Sequence, residues 1–148
     1  AHGVQPASLE ELLHEADFVS IHTPLTPATR GLMNAERLRS MKLTAYLINT
    51  ARGAVIDPAA LLQALREGWI AGAAVDVFDP EPIPADHPLL QLPNFIVTPH
   101  AAFYSEESIV DLETLAAQNV AAILSGRRPA AVVNSEVLGL PRWAHLRG

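Results

Sequence analysis

A chain of 148 residues, 49% apolar and 18% charged, has the length of one domain and a globular rather than disordered composition, with enough length to bury a sizeable core. Its formal net charge of -6 argues against a nucleic-acid backbone binder, and no apolar run approaches the roughly 18 residues of a membrane span, so neither partner is expected. The absence of cysteine excludes disulfides and thiolate metal sites, and no metal is expected.

The first element is a short helix. Ser8-Leu9-Glu10-Glu11 has capping-box spacing, and Leu9, Leu12 and Leu13 form an apolar stripe. Phe18 to His22 reads as a strand ended by Pro24. A Thr- and Pro-rich loop from Leu25 to Arg30 follows, then a helix capped by Asn34 that runs to Met41 with Leu38 inward. Ala45 to Asn49 is a nearly all-apolar strand, a pattern that predicts cover on both faces as in parallel sheets. Asp57-Pro58 starts a third helix carrying Leu61, Leu62 and Leu65, and Gly68 supplies its left-handed stop. Gly72 to Asp76 is a small, buried strand. Prolines 80, 82, 84, 88 and 93 forbid regular structure between residues 79 and 93. Phe95 to Thr98 is a fourth strand. A long helix from Ser105 to Ser125 presents Ile109, Leu112, Ala116, Val120 and Ile123 on one face, and Gly126 stops it. Ala131 to Val133 is a last extended piece. Strands alternating with helices predict an α/β fold, with β-α units on a parallel sheet joined by right-handed crossovers.

In an open parallel sheet, ligands bind beyond the carboxyl ends of the strands. Here those ends carry His22-Thr23-Pro24, Asn49-Thr50-Ala51-Arg52-Gly53, Asp76-Val77-Phe78 and Pro99-His100-Ala101-Ala102. Arg52 offers a planar fork of donors that matches a carboxylate. His100 can give or take a proton near neutral pH, and a carboxylate beside it, with Glu81 the candidate, would favour its protonated form. A cationic acid facing a carbonyl suits hydride addition, in which the oxygen becomes an alkoxide. Taken singly, each residue has a plain structural reading: Arg52 as a solvated or capping residue, His100 as a strand-end packing residue, Glu81 as loop surface, Asp76 as a turn cap. Their convergence on one sheet edge is what points to chemistry.

The strings Thr50-Ala51-Arg52-Gly53, Asp76-Val77-Phe78 with Glu81-Pro82, and Pro99-His100-Ala101-Ala102, in this order and spacing, resemble the signature blocks of the D-isomer-specific 2-hydroxyacid dehydrogenases. His22-Thr23-Pro24-Leu25-Thr26 with Thr29 also resembles that family, and the likeness runs from about Ser8 to Leu138. It implies a partial Rossmann-type parallel sheet with flanking helices, the second half of a dinucleotide-binding domain, in an NAD(P)-dependent oxidoreductase acting on a small 2-keto or 2-hydroxy acid. Arg52 would bind the substrate, His100 would be the acid/base and Glu81 would hold and charge it. It implies that Thr23, Pro24, Thr29, Thr50, Ala51, Arg52, Asp76, His100 and Ala102 line the nicotinamide end of NAD, with NADP left open. The aromatic Phe103 after the histidine block is closest to the corepressor-type and phosphoglycerate-dehydrogenase-type members and implies a further contact at that pocket.

The family's Gly-x-Gly-x-x-Gly turn is not found among the eight glycines of this chain. With Ala1 rather than Met at its start, the chain is expected to be part of a longer protein. Residues 1–130 would be the C-terminal part of the NAD-binding domain, and 131–148 would return to a substrate domain. Alone, it is expected to bind NAD weakly, lacking the helix N-terminus that holds phosphate. A sheet edge without its neighbours invites pairing, so a homo-oligomer or a complementing fragment is expected. With no basic-then-apolar leader in view, the expected location is the cytoplasm. The alternatives to an enzyme are a non-catalytic, NAD-sensing module of the corepressor type and an inert fragment.

Overall fold

The computed structural model describes residues 3–146, which fall into two compact units that divide between Ala102 and Phe103. The first unit is a four-stranded parallel sheet in the order β1 (Phe18–Ile21), β2 (Tyr46–Asn49), β3 (Gly72–Val75) and β4 (Phe95–Val97). Helices α1 (Leu9–Glu15), α2 (Ala35–Ser40) and α3 (Pro58–Glu67) precede the first three strands in turn.

The helix starts form where the local chemistry calls for them. Ser8 and Glu11 make the reciprocal capping box, with Glu11 Oε2 accepting the Ser8 N–H at 2.9 Å. Asn34 Oδ1 accepts the Arg37 N–H at 3.0 Å, and Asp57 Oδ1 accepts the N–H groups of Ala59 and Ala60 at 2.9 and 3.2 Å. Each bond satisfies a helix N–H that has no partner within the helix. Gly68, at φ 69°, ends α3 in the left-handed region that only glycine enters without penalty.

One face of the sheet is the core. Val19, Ile21, Leu47, Ala73 and Val75 point to the side where Leu13, Leu38, Leu61 and Leu65 arrive from the three helices, and all nine are buried. Burying each large aliphatic side chain contributes about 1.5–3 kcal/mol. The other face carries Phe18 (70% exposed), Tyr46 (46%) and Ile96 (66%), with the Phe18 and Tyr46 rings stacked at 5.6 Å. Cover on both faces, expected from the apolar run of β2, is therefore not what is found: the three helices of this unit all pack on one side. Within the proline-rich stretch the sequence predicted no regular structure, yet Pro88–Gln91 forms one 3₁₀ turn. His87 Nδ1 accepts the Leu89 N–H at 3.2 Å there, so a side chain takes up a donor the loop geometry leaves open.

The second unit is built on α4 (Glu106–Leu124), capped by Ser105 and stopped at Gly126. None of its residues is buried, and Leu112 and Val120 are each 58% exposed. Its companions in that unit, the 3₁₀ turns Ser135–Gly139 and Pro141–Trp143, are too short to cover a helix of 19 residues. Ala131 to Val133 forms no strand. Among the described residues, no helix is long and apolar enough to cross a membrane.

Candidate active site

The parallel register brings the carboxyl ends of all four strands to one edge, and the backbone just past each end is held by side chains. Asn49, at the last position of β2, is fully buried. Its Oδ1 accepts the Ala51 N–H and its Nδ2 donates to the Arg52 carbonyl, both at 3.0 Å, so the turn through Thr50 is braced on two sides. Arg52 is exposed, and its Nη1 donates to the Ala51 carbonyl at 2.6 Å. Gly53 then lies against the backbone of Phe78, where an added Cβ would overlap the Phe78 carbonyl group. That close approach packs the turn carrying Arg52 against the segment leading to Glu81.

Asp76 follows β3 and is 4% exposed. Its Oδ1 accepts the Thr98 hydroxyl and, at 2.9 Å, the Ala101 N–H; its Oδ2 accepts the Ala102 N–H at 2.9 Å. Its backbone carbonyl accepts the His100 N–H at 2.8 Å. Burial opposes ionisation of Asp76, but the Thr98 hydroxyl, the two N–H groups and the nearby His100 together hold its carboxyl below the usual aspartate range. Within this frame His100 adopts φ 55°, a left-handed conformation that costs a histidine about 1–3 kcal/mol unless its surroundings impose it.

The imidazole meets Glu81. His100 Nδ1 lies 2.9 Å from Glu81 Oε2, while Glu81 Oε1 accepts the Phe78 N–H at 2.7 Å. The His100 bond first, and the Phe78 N–H second, hold the Glu81 carboxyl below its ordinary value against a smaller opposing effect of burial. An ionised carboxylate only accepts, so the short contact places a proton on Nδ1. Glu81, His100 and Asp76 line one cleft of about 500 Å³ together with Phe78, Val97 and Pro99.

The pair Glu81–His100 is thus brought together, with Asp76 beneath it. Arg52 stands at the neighbouring strand end, outside the residues lining that cleft. After β1, Thr29 Oγ1 donates to the Pro24 carbonyl at 2.6 Å and accepts the Thr26 N–H at 2.8 Å, which closes the loop from Pro24 to Thr29. The buried Oγ1 of Thr23 has no hydrogen-bond partner among the described residues. Thr50, Pro24 and Ala102 are exposed, and Ala51 and Thr29 half-buried. Phe103 belongs to the second unit, where its ring lies 4.9 Å from that of Tyr104. Two residues that hold the edge, Asn49 and Thr98, were not singled out as site residues in the sequence. An asparagine closing an otherwise apolar strand was the available signal, because a buried amide must find partners.

Residues 1–102 match the family described as "D-isomer specific 2-hydroxyacid dehydrogenase, NAD binding domain". The chain belongs to this family. Among its curated relatives, a glyoxylate reductase of Thermofilum pendens is 55% identical over 130 residues, covering 88% of this chain and 38% of that protein. Among solved structures, the NAD-complexed D-isomer specific 2-hydroxyacid dehydrogenase of Lactobacillus delbrueckii ssp. bulgaricus is 40% identical at a TM-score of 0.79, covering 86% of this chain and 43% of that one. An acyclic imino acid reductase in complex with NADPH and D-Arg is 32% identical at a TM-score of 0.80, covering 90% of this chain and 42% of that one. The chain therefore spans about two fifths of the length of these relatives.

The residues present fit one end of the dinucleotide. A buried hydroxyl without a partner costs about 1–3 kcal/mol, and a polar group of a ligand at the end of β1 would satisfy Thr23 Oγ1. Asp76 Oδ2 accepts Ala102, and a carboxylate oxygen has capacity for a second donor.

Proposed function

We propose that the full-length protein interconverts a small 2-keto acid and its D-2-hydroxy acid, with NAD as cofactor. The observation that carries this reading is the 2.9 Å contact of His100 Nδ1 with an ionised Glu81 at the same sheet edge as Arg52. NAD, when bound, supplies or takes the hydride. Arg52 binds the substrate carboxylate through its guanidinium fork, which carries five donors and spends one on Ala51. That pairing sets the neighbouring carbonyl before the imidazole. With Glu81 fixing the proton on Nδ1, Nε2 is the ring atom that gives a proton to the carbonyl oxygen as negative charge develops there. In the reverse direction it takes the proton of the hydroxyl. Thr23, Pro24, Thr29, Thr50, Ala51, Asp76 and Ala102 are the residues we place around the nicotinamide end.

The substrate we propose is glyoxylate or a 2-keto acid of similar size, in keeping with the name of the Thermofilum pendens relative. We read residues 131–148 as the segment that returns to a substrate domain. We propose a homo-oligomer or a complementing fragment, a reading supported by a sheet whose β1 has only β2 beside it among the described residues and whose second face exposes Phe18, Tyr46 and Ile96. The cytoplasm is the proposed location.

The test is hydride transfer. Full-length protein is assayed by nicotinamide absorbance against a panel of 2-keto acids, with NADH and NADPH in separate arms. Turnover of at least one short 2-keto acid is expected, with a loss of about 10²–10⁴-fold on His100→Ala. A wild-type protein that binds NADH yet reduces no member of the panel would contradict the reading.

A further inference from the structure

We infer that Asn49 is a positioning residue for substrate, acting through the backbone turn that carries Arg52; this rests on the reading that Arg52 binds the substrate carboxylate. Asn49 is fully exposure-free at the end of β2, where the preceding core position, Leu47, is apolar and equally buried. A leucine there would avoid the desolvation cost of an amide, which is about 1–3 kcal/mol when left unpaired. The amide is instead used at both ends. Oδ1 accepts the Ala51 N–H and Nδ2 donates to the Arg52 carbonyl, each at 3.0 Å, so the two bonds point into the turn from opposite polarities.

What these bonds determine is the direction of Arg52. Its carbonyl accepts a second bond, from the Val55 N–H at 3.2 Å, so the peptide plane after Arg52 is held by two donors. The guanidinium is held from the other side. Nη1 donates to the Ala51 carbonyl at 2.6 Å, and Ala51 is the residue whose N–H is tied to Asn49. One buried amide therefore sets both the backbone from which the side chain departs and the residue on which the guanidinium rests. The Asn49 carbonyl also accepts the Asp76 N–H at 2.9 Å, which joins this turn to the residue holding His100. Only an asparagine supplies a donor and an acceptor at this reach. An aspartate of the same shape keeps the Ala51 bond and sets a carboxylate oxygen against the Arg52 carbonyl.

Kinetics of the full-length protein test this with Asn49→Ala, Asn49→Asp, Arg52→Ala and the double variant Asn49→Ala/Arg52→Ala. A misplacement of about 1 Å costs on the order of 10²-fold, so Asn49→Ala and Asn49→Asp are expected to lower kcat/KM for the 2-keto acid by up to that factor. Adding Asn49→Ala to Arg52→Ala is expected to cost nothing further, because the group it positions is gone. An unaltered keto-acid KM in Arg52→Ala would overturn the carboxylate reading and this inference with it. An Arg52→Ala defect alongside silent Asn49 variants, or losses that multiply in the double variant, would overturn this inference alone. Failure of both Asn49 variants to fold would assign the amide to the fold and overturn it as well.

Discussion

Asp76 holds His100 from two directions: its carbonyl accepts the His100 N–H at 2.8 Å, and its carboxylate accepts the N–H groups of the next two residues, Ala101 and Ala102, at 2.9 Å. The imidazole thus stands on a turn wrapped around one buried carboxylate, which explains how a histidine keeps φ 55°. Asp76→Ala strands the Thr98 hydroxyl and two N–H groups. The expected outcome is a loss of about 2–4 kcal/mol in urea-induced unfolding, together with a kcat defect larger than that of Thr98→Val. Equal stability in Asp76→Ala and wild type would show that the turn holds itself.

The acid side of the pH profile follows from Glu81 and Asp76, both held below their ordinary values of 4.5 and 3.8. A carboxyl whose folded pKa is lowered contributes stability that is fully present above its unfolded pKa and is lost as pH falls through the lowered folded value. Thermal unfolding is therefore expected to show little influence of these two groups above about pH 5 and a falling midpoint below it. Asp76→Asn should flatten that fall, and a wild-type midpoint that rises on acidification would contradict it.

Glu81→Gln removes the charge opposite the imidazole while keeping the side-chain length. A lower kcat is expected, by about 10–10²-fold, with KM for NADH near the wild-type value. Stopped-flow single turnovers separate this effect from product release. An unchanged single-turnover rate would take Glu81 out of the chemistry.

Gly53→Ala drives a methyl group into the Phe78 carbonyl, which is backbone and cannot swing aside. Overpacking of this kind costs about 1–3 kcal/mol, and relief would displace the segment that presents Glu81. Both Tm and kcat are expected to fall, whereas Gly68→Ala, at the exposed end of α3, should lower Tm alone.

Ser8→Ala removes the hydroxyl that accepts the Glu11 N–H at 3.2 Å. The expected cost is about 1 kcal/mol in chemical denaturation, with kinetics unchanged, since the hydrogen bonds of the capping box run between Ser8 and Glu11 alone. A kinetic defect in this variant would show that α1 reaches the active edge.

Much of this molecule was legible in order along the chain. Ser8 with Glu11, Asn34, Asp57-Pro58, Ser105 and Gly126 marked helix ends because capping is chemistry between residues two to four apart. The four strands were found within a residue at each end: β1 stops before His22, β3 before Asp76 and β4 before Thr98, although the Asp76 and Thr98 N–H groups still donate to the Asn49 and Val75 carbonyls. The exposed stripe of α4 and the uncovered face bearing Tyr46 were not legible. An apolar pattern states that a face needs cover, and only packing states what covers it.

By itself, the order of residues determined which groups stand at the ends of the strands, Arg52, Asp76 and His100 among them, because strand and helix ends are set by short-range backbone chemistry. The pairing of those groups was decided by tertiary structure. Glu81 meets His100 across 19 positions, and Asp76 meets Ala101 and Ala102 across 25 and 26. Such contacts depend on the register of parallel strands and on a glycine thin enough to let two turns touch. No local pattern records either, because both follow from how the buried faces of distant segments fit against one another.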